Sequence, residues 1–343
     1  MSARTRVLIP GILAAILIVL QCIYGPTAAG QGGRTQVKMA LPGAAVAAGP
    51  VYLARDRGYF AAQGLDVELV TFGTSAEMVP ALATGEVLAA IGAASPGTYN
   101  AIRRGIDLKI VADAGSTQPG AGFTALVVRK DLADSGAIRD YADLRGRRIA
   151  VPSRASTSLI DVDLALQQGG LTLADIDVVE LPFADMNAAF ANRSLDAAIQ
   201  IEPLVAAGVA RELFVRWRGS DELYPGHQLA FVMYSPRIPP EIGQRFMLAY
   251  LQGVRDYMDA FFRNQGRPEV VQVLIDNTPV KEAALYEQMA YAYIDPNGGV
   301  NEASMAFDID WWVRQRLLDG PVDLGSVIDR RYAAHAIEVL GRY

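Results

Sequence analysis

Ser153-Arg154-Ala155-Ser156-Thr157-Ser158 is the densest run of ligand-binding chemistry in the chain, with four hydroxyls and one guanidinium. It precedes an apolar helical pattern. The unpaired N–H groups of a helix start therefore join it, and that combination favours an anion. The plain alternative is a polar loop with Arg154 in solvent. Glu202 is the second feature, placed at the end of the apolar run 196–201 and followed by Pro203. A carboxylate there either receives a ligand amine or pairs with Arg154. Thr74, Ser75 and Ser95 offer hydroxyls at helix starts, where capping alone would account for them.

The elements that must position these groups alternate strand and helix. Leu65, Val67 and Leu69 alternate as in a half-buried strand. Thr74 and Glu77 have capping-box spacing, and the helix they open stops at Gly85. The apolar run Val87 to Ile91 then predicts a strand covered on both faces. This β-α-β unit implies a parallel sheet. Further strands are predicted at 36–41, 108–112, 123–128, 149–151, 176–181, 196–201 and 229–234. Ser95 with Pro96 opens one helix, Ser153 to Ser158 leads into another, and Asp185 is expected to cap a third through Asn192. Almost everything from Pro239 on reads as helix, and its aromatic stripe (Tyr250, Tyr257, Phe261, Phe262) as packing. The rhythm breaks near Gly115 to Phe123 and near Gly226 to Phe231, where two crossings between lobes are expected. In open α/β folds ligands bind outside the carboxyl ends of strands. That rule selects Ala48, Thr74, Ser75, Ser95, Pro96, Thr117, Ser153, Arg154, Ser156, Thr157, Asp185, Met186 and Glu202 as candidate ligand-binding residues.

The N-terminus carries Arg4 and Arg6, the apolar run Val7 to Leu20, and small residues through Gly30. That order predicts a secretory signal over residues 1–29, cut before Gly30. The apolar run has 14 residues, short of the ~20 of a spanning helix. Cys22, the only cysteine, follows Gln21 where a lipoprotein signal wants a small residue, so lipid anchoring is the lesser outcome. Loss of Arg4 and Arg6 would take the net charge from −6 to −8. An acidic chain with no basic block is a poor nucleic-acid binder. Roughly 310 remaining residues suffice for two packed units without disulfides.

The inventory for catalysis is thin. The two histidines, His227 and His335, have no partner at metal-ligand spacing. Gly-x-Ser-x-Gly and the Walker pattern do not occur. Asp161 and Asp163 fall on different helix faces and read as a solvated pair. No metal, cofactor or catalytic residue is predicted.

The chain resembles bacterial solute-binding proteins of the nitrate/sulfonate/taurine family. The resemblance is carried by GYF-x3-GL-x-VEL at 58–69, ALATGEV at 81–87, G-x-DLKIVA at 105–112, DLRGRRIAVP at 143–152 and LDAAIQIEP at 195–203. It covers most of the chain after the leader. Leu88 departs from it, since the family usually has an aspartate after Gly-Glu-Val. The resemblance implies an α/β periplasmic-binding-protein fold of type II: two doubly wound α/β lobes joined by a two-strand hinge, with the ligand cleft between them. The lobes would comprise 34–118 with 227–343, and 119–226. It further implies a monomeric periplasmic component of an ABC importer that works with a permease and an ATPase. The expected ligand is a small organic anion such as a sulfonate or carboxylate, with a neutral heteroaromatic such as a pyrimidine precursor as the alternative. A pyrimidine-precursor synthase shares the fold but carries a cysteine-rich motif that this sequence lacks. A LysR-like effector domain would need a helix-turn-helix where the signal stands.

Overall fold

The computed structural model describes residues 33–42, 48–72 and 75–343, without the side chains of 42, 75 and 76. The leader, Cys22 and the Thr74–Glu77 capping box therefore lie wholly or partly outside the described residues. Thr35–Tyr343 forms one unit built on ten strands: β1 (Thr35–Pro42), β2 (Leu65–Phe72), β3 (Ala89–Ala93), β4 (Lys109–Thr117), β5 (Thr124–Arg129), β6 (Arg148–Val151), β7 (Asp177–Glu180), β8 (Ala197–Ile201), β9 (Phe214–Gly219) and β10 (His227–Tyr234). The main helices are α1 (Gly49–Asp56), α2 (Ser75–Thr84), α3 (Pro96–Arg103), α4 (Thr157–Gln168), α5 (Phe183–Ala191), α6 (Leu204–Ala210), α7 (Pro240–Phe262), α8 (Arg267–Asn277), α9 (Glu302–Arg314) and α10 (Arg331–Leu340). Shorter turns are named by residue.

Two five-stranded sheets result, ordered β2-β1-β3-β10-β4 and β7-β6-β8-β5-β9. In the first, β1 pairs in parallel with β2 from Thr35↔Leu65 to Pro42↔Phe72, and β10 runs antiparallel between β3 and β4. In the second, β6 is parallel to β7 and β8, and β5 is antiparallel to β8 and β9. Each sheet thus contains one reversed strand in its fourth place. That strand is the one that enters from the other lobe: β5 follows β4 through residues 118–123, and β10 follows β9 through residues 220–226. Two doubly wound α/β lobes joined by two crossings are what the sequence implied.

Some local expectations need correction. Strand β9 is absent from the reading of the sequence, because its Phe-Val-Arg-Trp-Arg-Gly run puts arginines at alternate positions of a short edge strand. Helix α5 begins at Phe183 with Pro182 as N-cap; Asp185 sits in its first turn and caps nothing. The first crossing starts at Gln118 and not at Gly115, since β4 extends to Thr117. Asp161 is not solvated: it is 1% exposed and hydrogen-bonded to His227.

The core explains why the C-terminal helices return to the first lobe. Val37, Met39 and Leu65 from the sheet, Val51 and Leu53 from α1, and Phe246, Tyr250 and Tyr257 from α7 form one buried cluster. Tyr250 and Tyr257 are fully buried, as packing predicts, while Phe262 is exposed. Helices α1 and α7 meet at Gly253, where a Cβ would lie 2.1 Å from the Pro50 carbonyl oxygen. Backbone cannot move aside as a side chain can. Gly253→Ala is expected to destabilise the protein by about 1–3 kcal/mol, the usual range for overpacking. Urea unfolding checks this, and a change below ~0.5 kcal/mol would show that the helices separate freely.

Candidate functional site

The carboxyl ends of β1, β2 and β3 in one lobe, and of β6, β7 and β8 in the other, carry most of the candidate residues. The structure uses them in different ways. Ser95 caps α3: its Oγ accepts from Thr98 N at 3.3 Å and bonds Thr98 Oγ1 at 3.1 Å. Pro96 is the first helical residue, and Ala48 is the buried residue before α1. Thr74 and the Ser75 side chain lie outside the described residues. Thr117 is fully buried and staples the two crossings together. Its Oγ1 donates to the Tyr224 carbonyl at 2.7 Å and accepts from His227 N at 3.0 Å, while Gly226 N donates to its carbonyl.

The hydroxyl-rich run forms a self-bonded turn before α4. Ala155 N donates to Ser153 Oγ at 3.1 Å, and Ser156 Oγ donates to the Ser153 carbonyl at 2.6 Å. Thr157 and Ser158 are buried at the helix start. Arg154 turns away from this group. Its Nη2 donates to the Val178 carbonyl at 3.0 Å, and its Nε lies 3.4 Å from Glu180 Oε1. Val178 and Glu180 belong to β7, an edge strand. The guanidinium therefore satisfies the sheet edge, with about half of its side chain in water.

Glu202 does not pair with Arg154. It is 5% exposed. Oε2 accepts from Ala206 N at 3.0 Å, holding the start of α6, and Oε1 accepts from Ala290 N at 3.2 Å. Arg216 of β9 places Nη1 3.4 Å from Oε1 and sends Nη2 to the Gly122 carbonyl. Burial lifts the Glu202 carboxyl above its ordinary range, and the donors from Ala206, Ala290 and Arg216 pull it back only in part. Ala290 belongs to the segment after α8 that packs with the first lobe, so this carboxylate ties the end of β8 to the other lobe.

The last two candidates separate. Asp185 is exposed on α5. Met186, beside it, is fully buried in the core of the second lobe with Phe190, Val205 and Phe214. Sequence reasoning passed over Phe72 at the end of β2 and Phe183 just after β7. Both residues are half-buried, Phe72 packed on an apolar cluster drawn from both lobes and Phe183 on that of the second lobe. The strand-end rule would have found them had it been applied to apolar as well as polar side chains. Arg216 was missed with its strand. Among the described residues no group of three metal-ligating side chains is arranged to hold a metal ion, and no helix is long and apolar enough to cross a membrane.

Comparisons with known proteins agree with this geometry. A family model described as NMT1/THI5 like matches residues 46–259. Riboflavin-binding protein RibY of Chloroflexus aurantiacus is 27% identical over 325 residues, 85% of this chain and 89% of RibY. A candidate binding protein of Brucella abortus is 26% identical over 215 residues, 61% of this chain; the match spans only 62% of the Brucella protein's length. The alkanesulfonate-binding protein SsuA of Xanthomonas axonopodis, solved with MOPS bound, superposes with a TM-score of 0.68 at 20% identity, covering 86% of this chain and 98% of SsuA. The shared fold is that of the periplasmic binding proteins.

Proposed function

With the chain belonging to the NMT1/THI5-like family, we propose that it is the extracytoplasmic solute-binding component of an ABC importer. In this reading residues 1–29 export it to the periplasm. Residues 34–118 with 227–343, and 119–226, form the lobes. A monomer binds a small molecule between them and passes it to a permease and an ATPase, with no chemistry and no cofactor.

The ligand this cleft suits best is a neutral, planar heteroaromatic of the pyrimidine or flavin kind. One observation carries that reading. At the described strand ends Arg154 and Glu202 are both engaged by protein groups and the exposed Asp185 would repel an anion, while Phe72 and Phe183 are only half-buried. A binding surface that is mainly apolar and aromatic with a few polar anchors suits such a molecule. The riboflavin named for the relative RibY belongs to the same chemical class. The organic anion is the second reading. It is favoured by the Ser153–Ser156 turn at the start of α4 and by the sulfonate-type ligand of SsuA.

Thermal-shift screening separates the two. Ligand at 100 times its Kd adds about 2.7 kcal/mol. Pyrimidines and flavins are expected to raise the melting temperature, with alkanesulfonates, taurine and nitrate inactive. Arg154→Ala should then bind within about twofold of wild type, whereas an anion held by Arg154 would lose about 1.5–3 kcal/mol. Stabilisation by sulfonates alone, abolished in Arg154→Ala, would replace the first reading with the second.

A further inference from the structure

Three buried ionisable side chains that no ligand-binding role uses stand in line where the lobes meet. Asp161 comes from α4 in the second lobe, His227 opens β10, and Asp308 comes from α9. His227 Nδ1 lies 2.9 Å from Asp161 Oδ1, and Nε2 lies 3.1 Å from Asp308 Oδ2. All three are at most 1% exposed. A neutral imidazole donates from one nitrogen only. With a carboxylate on each nitrogen, both must carry protons, and the ring is an imidazolium. Tyr224 stacks on it at 4.3 Å.

The surroundings fix one end of this chain and join the other to it. Gln228 N donates to Ser304 Oγ at 3.0 Å and Asn301 N donates to Gln228 Oε1 at 2.8 Å, so β10 and the start of α9 move together. Helix α4 reaches the same α9 through Trp311 Nε1, which donates to Asp163 at 2.8 Å. Leu159, Ile160 and Val162 of α4 share a buried cluster with Phe231, Met305 and Trp312. The Ser153–Ser156 turn immediately precedes α4, so this helix carries part of the second lobe's strand-end wall.

We propose that Asp161, His227 and Asp308 form an ionic clasp that holds α4 on α9 and fixes the pivot about which the cleft opens. The charge count makes the clasp conditional on the ring. Asp161 Oδ2 and Asp308 Oδ1 have no protein partner, and two carboxylates with one imidazolium leave one negative charge in a buried place. Without the ring's charge, two buried carboxylates would face each other, an arrangement that costs far more than the intact chain. The groups facing His227 are Asp161 from α4, Asp308 from α9 and Tyr224 from the crossing. Tyr99 of α3 lies near enough to Asp308 to feel its charge. The proposal rests on the two-lobed fold and not on the identity of the ligand.

Amide exchange on the whole ligand-free protein tests it. In His227→Gln, with far-UV circular dichroism unchanged, exchange in 157–168 and 302–314 is expected to speed by about tenfold while β1 and β3 keep their protection. Adding Asp161→Asn removes one of the two facing charges and should restore most of that protection; a merely space-filling role predicts further loss. Unchanged exchange in His227→Gln, or no restoration in the double variant, overturns the clasp. Should His227→Gln not fold, nitrogen NMR of His335→Gln, which keeps a single histidine, decides. Two protonated ring nitrogens at pH 7.5 support the clasp, and one overturns it.

Discussion

Glu202→Ala is expected to destabilise the protein by about 2–4 kcal/mol. The carboxylate accepts from Ala206 N and Ala290 N, and truncation leaves the buried Ala206 donor without an acceptor, at about 1–3 kcal/mol, and the part-buried Ala290 donor at the low end of that range. Arg216 adds less, since its side chain is 31% exposed and turns to water when its partner is gone. Glu202→Gln keeps one carbonyl oxygen but sets an amide N–H₂ against one of the two backbone donors. Its cost should be smaller, about 1–2 kcal/mol. Urea unfolding at neutral pH gives both values by linear extrapolation. The ordering of Ala below Gln below wild type is the sensitive part. An alanine variant within ~0.5 kcal/mol of wild type would mean that water replaces the carboxylate at both donors. Because Ala290 sits across from β8, the same loss should loosen the lobes on this side of the hinge.

What the sequence disclosed and what it withheld follow from the range of each interaction. Alternation in Leu65 to Leu69 and the Ser95-Pro96 start of α3 are local patterns, and β2 and the Ser95 cap stand where they point. The partners of Arg154 are not local. Parallel pairing of β6 with β7 puts Val151 opposite Glu180, which brings that carboxylate to the Arg154 backbone and guanidinium. Nothing within residues 153–158 encodes that register, so the turn read as an anion clamp. Glu202 read as a ligand group because its true partners, Arg216 and Ala290, come from a strand the pattern hid and from a segment 88 residues away. The chain Asp161–His227–Asp308 spans separations of 66 and 81 residues. Helical periodicity placed Asp161 and Asp163 on different faces, but not which of those faces is buried. Asp161 is covered by β10 through His227, while Asp163, bonded by Trp311 of α9, stays half-exposed.

The same chain predicts how stability depends on pH. Burial alone would push the His227 ring down, but Asp308 and Asp161 outweigh it and lift the ring to about 10. In the unfolded chain it titrates near 6.5. The folded protein therefore holds a proton that the unfolded chain has released throughout the interval between those values. Stability from the clasp is complete below about pH 6.5 and is lost as the pH climbs towards 10, at up to about 1.4 kcal/mol per pH unit. The interval from pH 7 to pH 9 isolates this group. Below it lies Asp113, whose burial raises it to about 6. Above it the buried tyrosines Tyr99, Tyr234, Tyr250 and Tyr257, all shifted upward by burial, resist ionising in the fold and add their own alkaline destabilisation. Wild type is thus expected to lose about 2 kcal/mol between pH 7 and pH 9. A variant with both His227→Gln and Asp161→Asn, which keeps the one net negative charge of the intact chain but no titrating ring, should be nearly flat over the same interval. Urea midpoints at four pH values across it give the comparison. Equal slopes in the two proteins would mean that His227 is already neutral at pH 7, with a carboxylate protonated in its place.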